Sequence, residues 1–245
     1  MALYKDPQVE NIVQSISARQ YFIDYALEND SIFVHYGGSD KALAEVKSLK
    51  IDNVNGMDSP GKVYWRTNKK TAPHNAIVNV EETWKYIDTR NYRTTTNERN
   101  VLNYVVEERN IENGILANKV NIPYSTSKVN FRYNAENKIY ERYVGNTLQK
   151  YWITAEALVT KNIIITIANN YSTSEEDNYG RQQIENIGSK DGYYITNGKA
   201  IKIKCEKKTR EGRTVYKDLD VNEIEVNDGN TYIQIVPPSM NLSIE

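Results

Sequence analysis

Histidine changes charge closest to neutral pH and is the side chain that most readily relays protons or ligates metals. The two histidines of this chain each sit in a compact polar run, Val34-His35-Tyr36-Gly37-Gly38-Ser39-Asp40 and Thr71-Ala72-Pro73-His74-Asn75. A serine next to a histidine suggests a nucleophile and its base. That chemistry needs the hydroxyl within about 3 Å of an imidazole that a carboxylate orients. Asp40 and Asp24 supply the carboxylate only by nearness in sequence, and no GxSxG elbow is present. A metal site would need at least one ligand beyond the two imidazoles, and the single cysteine, Cys205, offers no CxxC pair, so neither a metal nor a cofactor is expected.

A small-ligand pocket demands less. If Arg19, His35, Gly37, Gly38, Ser39, Trp65, Arg66, His74 and Asn75 converge, guanidinium and backbone N–H groups can hold a carboxylate or phosphate. The imidazoles would then exchange protons, with Trp65 as an apolar wall. The competing reading is structural: His35 ends a buried strand and is satisfied by a backbone carbonyl, His74 belongs to a turn, and Arg19 pairs with an acid such as Asp24.

The elements that must position these residues are legible in part. Ser17 and Gln20 match a capping box ahead of Phe22, Ile23, Ala26 and Leu27, which predicts a helix over 18–28. Ser31 to Tyr36 reads as a strand with an apolar centre, and His35 stands at its exit. Gly37-Gly38 turns the chain, and Ser39 or Asp40 caps a second helix carrying Ala42, Leu43, Val46 and Leu49 on one face. A strand, a glycine turn and a helix start leave N–H groups that favour an anion, although the spacing matches no nucleotide fingerprint. Asn79 and Glu82 cap a third helix with Val80, Trp84 and Ile87 buried, and 97–108 reads as helical without a clean period.

From about residue 115 the period becomes two. Val120, Ile122 and Tyr124, then Val129, Phe131 and Tyr133, alternate with polar residues, and Asn134 to Asn137 forms a hairpin loop before a strand at 139–143. Ile163 to Ile167 reads as a strand covered on both faces, Asn197-Gly198 as a type I′ hairpin turn, and Tyr232 to Val236 as another strand. The tail from Ser239 is expected to fray. This pattern predicts an α+β fold of layered, largely antiparallel sheets with helices packed on one side. Residues 1–115 form a helix-rich part with both histidine motifs and 116–245 a β-rich part, together expected to make one compact unit.

Composition narrows the function classes. The 245 residues carry a formal charge of −1, which gives no reason to expect nucleic acid or an anionic membrane surface as partner. Eight basic residues between Lys199 and Lys217 are followed by Asp218, Asp220, Glu223, Glu225 and Asp228, so a mutually neutralising face is expected there. Cys205 reads as a small apolar filler. Tyrosine is abundant, 19 against 3 phenylalanines, as suits half-buried strands and contact surfaces. No run approaches the roughly 20 apolar residues of a membrane helix, and residues 1–16 lack a signal-peptide pattern, so the chain as given is expected to be soluble and without a leader.

Ser17-Ala18-Arg19, Tyr21-Phe22-Ile23-Asp24, Val34 to Ser39, Tyr64-Trp65-Arg66 and Ala72 to Asn75 resemble, in order and spacing, the YerB-like family of predicted lipoproteins of Gram-positive bacteria. Tyr194 to Ile201 and Asp228 to Pro237 resemble the same family's C-terminal region. The resemblance implies an α+β fold of stacked sheets and helices, usually lipid-anchored outside the cytoplasmic membrane, with no catalytic roles to carry over. This chain departs from the family at Ile16, where an arginine is usual, at Gln20, often proline, and at Cys205, usually tryptophan. It also has only sixteen residues before Ser17, where the family has a longer first segment.

The expected function is therefore a non-enzymatic extracytoplasmic binding or accessory protein whose pocket takes a small ligand or a cell-envelope component, with the membrane as partner only through a lipid anchor. The alternatives are a hydrolase or transferase on an envelope substrate with His35 or His74 as general base, and a purely structural interaction module.

Overall fold

Two of the three helices among the described residues start where a short polar side chain can take up a free N–H. In the computed structural model, which describes residues 16–72, 74–96, 101–151, 154–173 and 180–245, helix α2 (Asp40–Ser48) is capped by Ser39 and α3 (Val80–Asp88) by Asn79. The Asn79 side chain accepts from the Glu82 N–H at 2.8 Å. Helix α1 (Gln20–Glu28) begins later than its capping-box pattern suggests, with Arg19 at the cap position and no side-chain cap. Ser17 is diverted because 16–18 runs alongside 36–38: Tyr36 donates to the Ile16 carbonyl and Ala18 to that of Gly37, at 3.0 and 2.9 Å.

The chain divides into two compact units, 1–99 and 100–245. Residues 100–115, grouped above with the helix-rich part, thus belong to the β-rich unit. In the first unit, β1 (Phe33–His35) and β2 (Asn53–Asn55) pair in parallel, with α2 as the connection. Strands β3 (Tyr64–Arg66) and β4 (Ala76–Val78) form an antiparallel ribbon leading into α3. Alternation along β1 sends Phe33 into a cluster with Ile23, Ala26, Ala42 and Val46 of α1 and α2. Val34 and Val54 turn the other way, toward Tyr64, Val78, Trp84 and Ile87 of the ribbon and α3.

The second unit opens with β5 (Tyr104–Val105) and β6 (Ile115–Leu116). There follow β7 (Lys119–Pro123), β8 (Lys128–Asn134), β9 (Ile139–Val144), β10 (Thr147–Leu148), β11 (Val159–Thr160) and β12 (Asn162–Ile167). The remainder is β13 (Asn170–Ser172), β14 (Gln182–Ile184), β15 (Gly188–Thr196), β16 (Lys199–Lys207), β17 (Val215–Lys217), β18 (Val226–Asn227), β19 (Thr231–Val236) and β20 (Ser243–Ile244). One sheet runs β10-β9-β8-β7-β20, with β11 also on the outer edge of β9. The other runs β17-β16-β15-β12-β19, with β6 also on β16. Val120, Ile122 and Phe131 of the first sheet meet Ile163, Ile165, Ile195 and Val236 of the second in one apolar cluster.

The continuous run in β12 follows from burial on both faces. Ile163 and Ile165 enter this cluster while Ile164 enters a second one with Tyr194, Ile203, Cys205 and Tyr216. Each such side chain contributes about 1.5–3 kcal/mol by burial. At the β15–β16 turn Asn197 and Gly198 both have positive φ, 49° and 74°, as a type I′ hairpin requires. The α+β class with mostly antiparallel sheets stands as expected. Two details differ. Of the predicted helix at 97–108, 97–100 lie outside the described residues, and the remainder includes β5, which pairs in parallel with β18. The tail does not fray, because β20 pairs with β7 and Met240, Leu242 and Ile244 cover the core.

Candidate functional site

The parallel register places Asn53 beside Phe33 and Asn55 beside His35. His35 is 1% exposed, its ring stacked on Phe33 at 4.9 Å. Its Nδ1 lies 2.8 Å from the Gly37 carbonyl oxygen and its Nε2 3.2 Å from Asn53 Oδ1. Asn53 Nδ2 donates to the Ile51 carbonyl, which leaves Oδ1 turned to the imidazole. Asn55 Oδ1 in turn accepts from the N–H groups of Gly37 and Met57. His35 is therefore a pin holding the exit of β1 against β2, with neither ring nitrogen presented to solvent.

Ser39 is buried and its Oγ accepts from the Ala42 N–H at 3.3 Å, which is cap geometry. Three of the N–H groups at the glycine turn, where an anion was expected, are taken by the protein itself. The Gly37 N–H is taken by Asn55, that of Ser39 by the Ala18 carbonyl, and that of Ala42 by Ser39. Gly37 has a φ of 61°, which the turn requires, and a Cβ on Gly38 would stand 2.9 Å from that of Ala18, so Gly38 serves the close passage of 16–18. Arg19 Nη1 donates to the Ala18 carbonyl at 2.8 Å. The Tyr21 hydroxyl, pushed up by burial, is pulled the other way by the Arg19 charge.

The remaining motif residues meet on the β3–β4 ribbon. Arg66 Nη1 donates to Asn75 Oδ1 at 2.7 Å, and the guanidinium lies over the Tyr36 ring at 4.8 Å. Tyr36 packs edge-on against Tyr64, whose hydroxyl donates to the His35 carbonyl at 3.1 Å. Asn75 Nδ2 donates to the Thr67 carbonyl. Trp65, on the opposite side of the strand, is 40% exposed, and His74 is exposed where the ribbon turns. Tyr36, Arg66 and Asn75 are thus brought together with the His35 backbone, while the His35 ring and the Ser39 hydroxyl are sealed inside.

Sequence reasoning missed Asn53, Asn55 and Tyr36. The signal for the first two is their spacing of two on a short strand after α2, which sets both side chains on one face beside β1. Among the described residues no three His, Cys, Asp or Glu side chains gather to hold a metal ion, and no helix is long and apolar enough to cross a membrane.

A parallel βαβ pair with an aromatic and arginine ribbon, followed by a unit of two facing sheets, defines an α+β protein of the YerB-like class, and this chain belongs to that family. Residues 1–93 match the family described as "Protein of unknown function (DUF3048) N-terminal domain" and 120–233 its C-terminal domain. These spans fall within the two units. The chain is 26% identical over 241 residues to "Putative lipoprotein YerB" of Bacillus subtilis (strain 168), covering 97% of this chain and 70% of the relative. The crystal structure of YerB protein from Bacillus subtilis matches with a TM-score of 0.80 at 24% identity, over 96% of this chain and 78% of that one.

Proposed function

We propose that this protein works outside the cytoplasmic membrane as a binding or accessory protein without a reaction of its own, recognising a cell-envelope component through the β3–β4 ribbon. The observation that carries the reading is Arg66. It is exposed, held in place by Asn75 and the Tyr36 ring, and makes no ion pair among the described residues. A cation fixed before its partner arrives loses little freedom on binding. Trp65, on the other side of the strand, and His74, where the ribbon turns, give the same ribbon an exposed apolar surface and a second polar group. The location rests on the relative's being named a lipoprotein. The enzymatic alternative has less support, because the Ser39 hydroxyl is used as a helix cap and both His35 ring nitrogens face protein oxygens.

The test is a thermal-shift titration of the wild type, Arg66→Gln and His74→Ala with soluble peptidoglycan fragments and with glycerol phosphate. Ligand stabilisation grows with concentration over Kd. A shift seen in the wild type and lost in Arg66→Gln is expected. A shift that survives in both variants removes the ribbon from the site, and turnover of a fragment abolished in His74→Ala replaces the binding reading with the enzymatic one.

A further inference from the structure

The second unit carries an arginine on the wrong side of a sheet. Along β9, Tyr140, Arg142 and Val144 share one face, and Tyr140 and Val144 belong to the apolar cluster between the two sheets. Arg142 sits opposite Phe131 of β8, and its guanidinium lies 5.5 Å from the ring centre of Tyr232 on β19, the edge strand of the facing sheet. Phe131 and Tyr232 are themselves in edge contact at 5.4 Å.

The other arginines of this unit take part in polar or charged interactions, although the Nε of Arg181 is also buried without a partner. Arg213 holds Glu223 with two nitrogens, Arg109 bonds Glu225, and Arg132 bonds Asn130 and Asn146. Arg142 makes no side-chain hydrogen bond or ion pair among the described residues, and its Nε is buried without a partner. A half-buried guanidinium left unpaired is unfavourable, and one aromatic ring recovers only part of that cost. The surroundings are neutral and polar. Tyr124, close enough for the Arg142 charge to act on its hydroxyl, shares its one proton between Gln234 Oε1 and the Ile235 carbonyl oxygen, each at 3.0 Å. Gln234 is 7% exposed and faces the same cluster as Tyr232.

We propose that the place where β9 faces β19 is a carboxylate-binding site, with Arg142 as its anchor, Tyr232 as the wall for an apolar group on the ligand, and Tyr124 and Gln234 as its polar lining. One fixed positive charge among neutral groups matches a monoanion. A planar guanidinium fork matches the two oxygens of a carboxylate, whereas a phosphate dianion would require a second cation that the site does not provide. The site is independent of the ribbon on the first unit and adds a second point of recognition to the chain.

Benzoate, its neutral isostere benzamide and inorganic phosphate are the probes, titrated into the full chain while the arginine Nε–H resonances are followed by 1H–15N NMR. Benzoate is expected to shift the Arg142 resonance saturably, with benzamide and phosphate leaving it in place. Arg142→Gln should weaken benzoate binding at least tenfold, and Arg142→Lys, which keeps the charge and loses the fork, should fall between. The proposal is overturned by the absence of a saturable response, by benzamide binding as well as benzoate, by tighter binding of phosphate, or by unchanged affinity in Arg142→Gln. If Arg142→Gln fails to fold, the wild-type contrast between benzoate and benzamide decides alone.

Discussion

Replacing His35 by alanine separates a structural histidine from a site histidine. The side chain is buried, so truncation leaves a cavity and removes the stack on Phe33, a loss of about 2 kcal/mol at the lower end for large-to-small core changes. Asn53 Oδ1 then loses its partner in the interior, which costs about 1–3 kcal/mol. The Gly37 carbonyl is less affected, because it keeps the Ala18 N–H at 2.9 Å. The total is about 4 kcal/mol. For a unit of this size each kcal/mol lowers Tm by roughly 4–8 °C, so a fall of about 15 °C or more is expected in the transition of the first unit. His35→Phe keeps the volume and the stack and loses only the polar contacts, for about 2 kcal/mol. Urea unfolding followed through the fluorescence of Trp84, which packs in the Val54 and Ile87 cluster, reads the change. His74→Ala, at an exposed position, should stay within about 0.5 kcal/mol of the wild type. A cost below about 1 kcal/mol for His35→Ala would refute the pin, since a buried ring stacked on Phe33 with its nitrogens against protein oxygens cannot be removed so cheaply.

Three further outcomes follow from the second unit. The Cys205 thiol is pushed up to about 11 by burial, so native protein at pH 8 should resist thiol reagents and label fully in urea. Gly198→Ala should cost more than about 1 kcal/mol by urea unfolding, because its φ is 74° and the new Cβ would stand 2.8 Å from the Tyr133 ring. Glu108, bonded to Lys138 and Lys161, is held down at about 2, so its stabilising contribution is full above its ordinary value of 4.5 and is lost as pH falls toward 2. The Tm difference between wild type and Glu108→Gln should accordingly be largest above pH 5 and close in acid.

What the sequence disclosed was local chemistry. Ser39 and Asn79 stand just ahead of their helices and cap them, and Asn197-Gly198 turns a hairpin because both residues tolerate positive φ. In the basic run after Lys199, Arg213 is neutralised as expected by Glu223 of the acidic stretch that follows, whereas Lys217 pairs with Glu206 from within the run itself. The misread elements are those fixed by distant partners. Ser17 has the composition of a cap, yet its segment bridges to the glycine turn twenty residues on, beyond the end of β1. Residues 104–105 pair with 226–227, and the Asn227 side chain bonds both the N–H and the carbonyl of Arg109, so a stretch with helical composition is held extended across the chain. For the candidate site, composition singled out His35 but could not say which way its ring faced. That depends on a register with Asn53 set only when α2 folds over the sheet.

Buried polarity in the second unit sharpens the case for Arg142. Asn162, Tyr194 and Asn227 are all buried, and they satisfy one another: Tyr194 donates to Asn162 Oδ1 and accepts from the Asn227 N–H, while Asn162 Nδ2 donates to the Asn227 carbonyl. Asn227 also donates to Thr196 and to the Arg109 carbonyl. A unit able to close such a network leaves no general need for a stray charge on an inner face, since a half-satisfied polar group costs more than the apolar residue that could replace it. Leucine or methionine at 142 would complete the cluster of Tyr140 and Val144. The retained guanidinium, its buried Nε without a protein acceptor, is therefore best understood as half of an interaction whose other half comes from outside the chain.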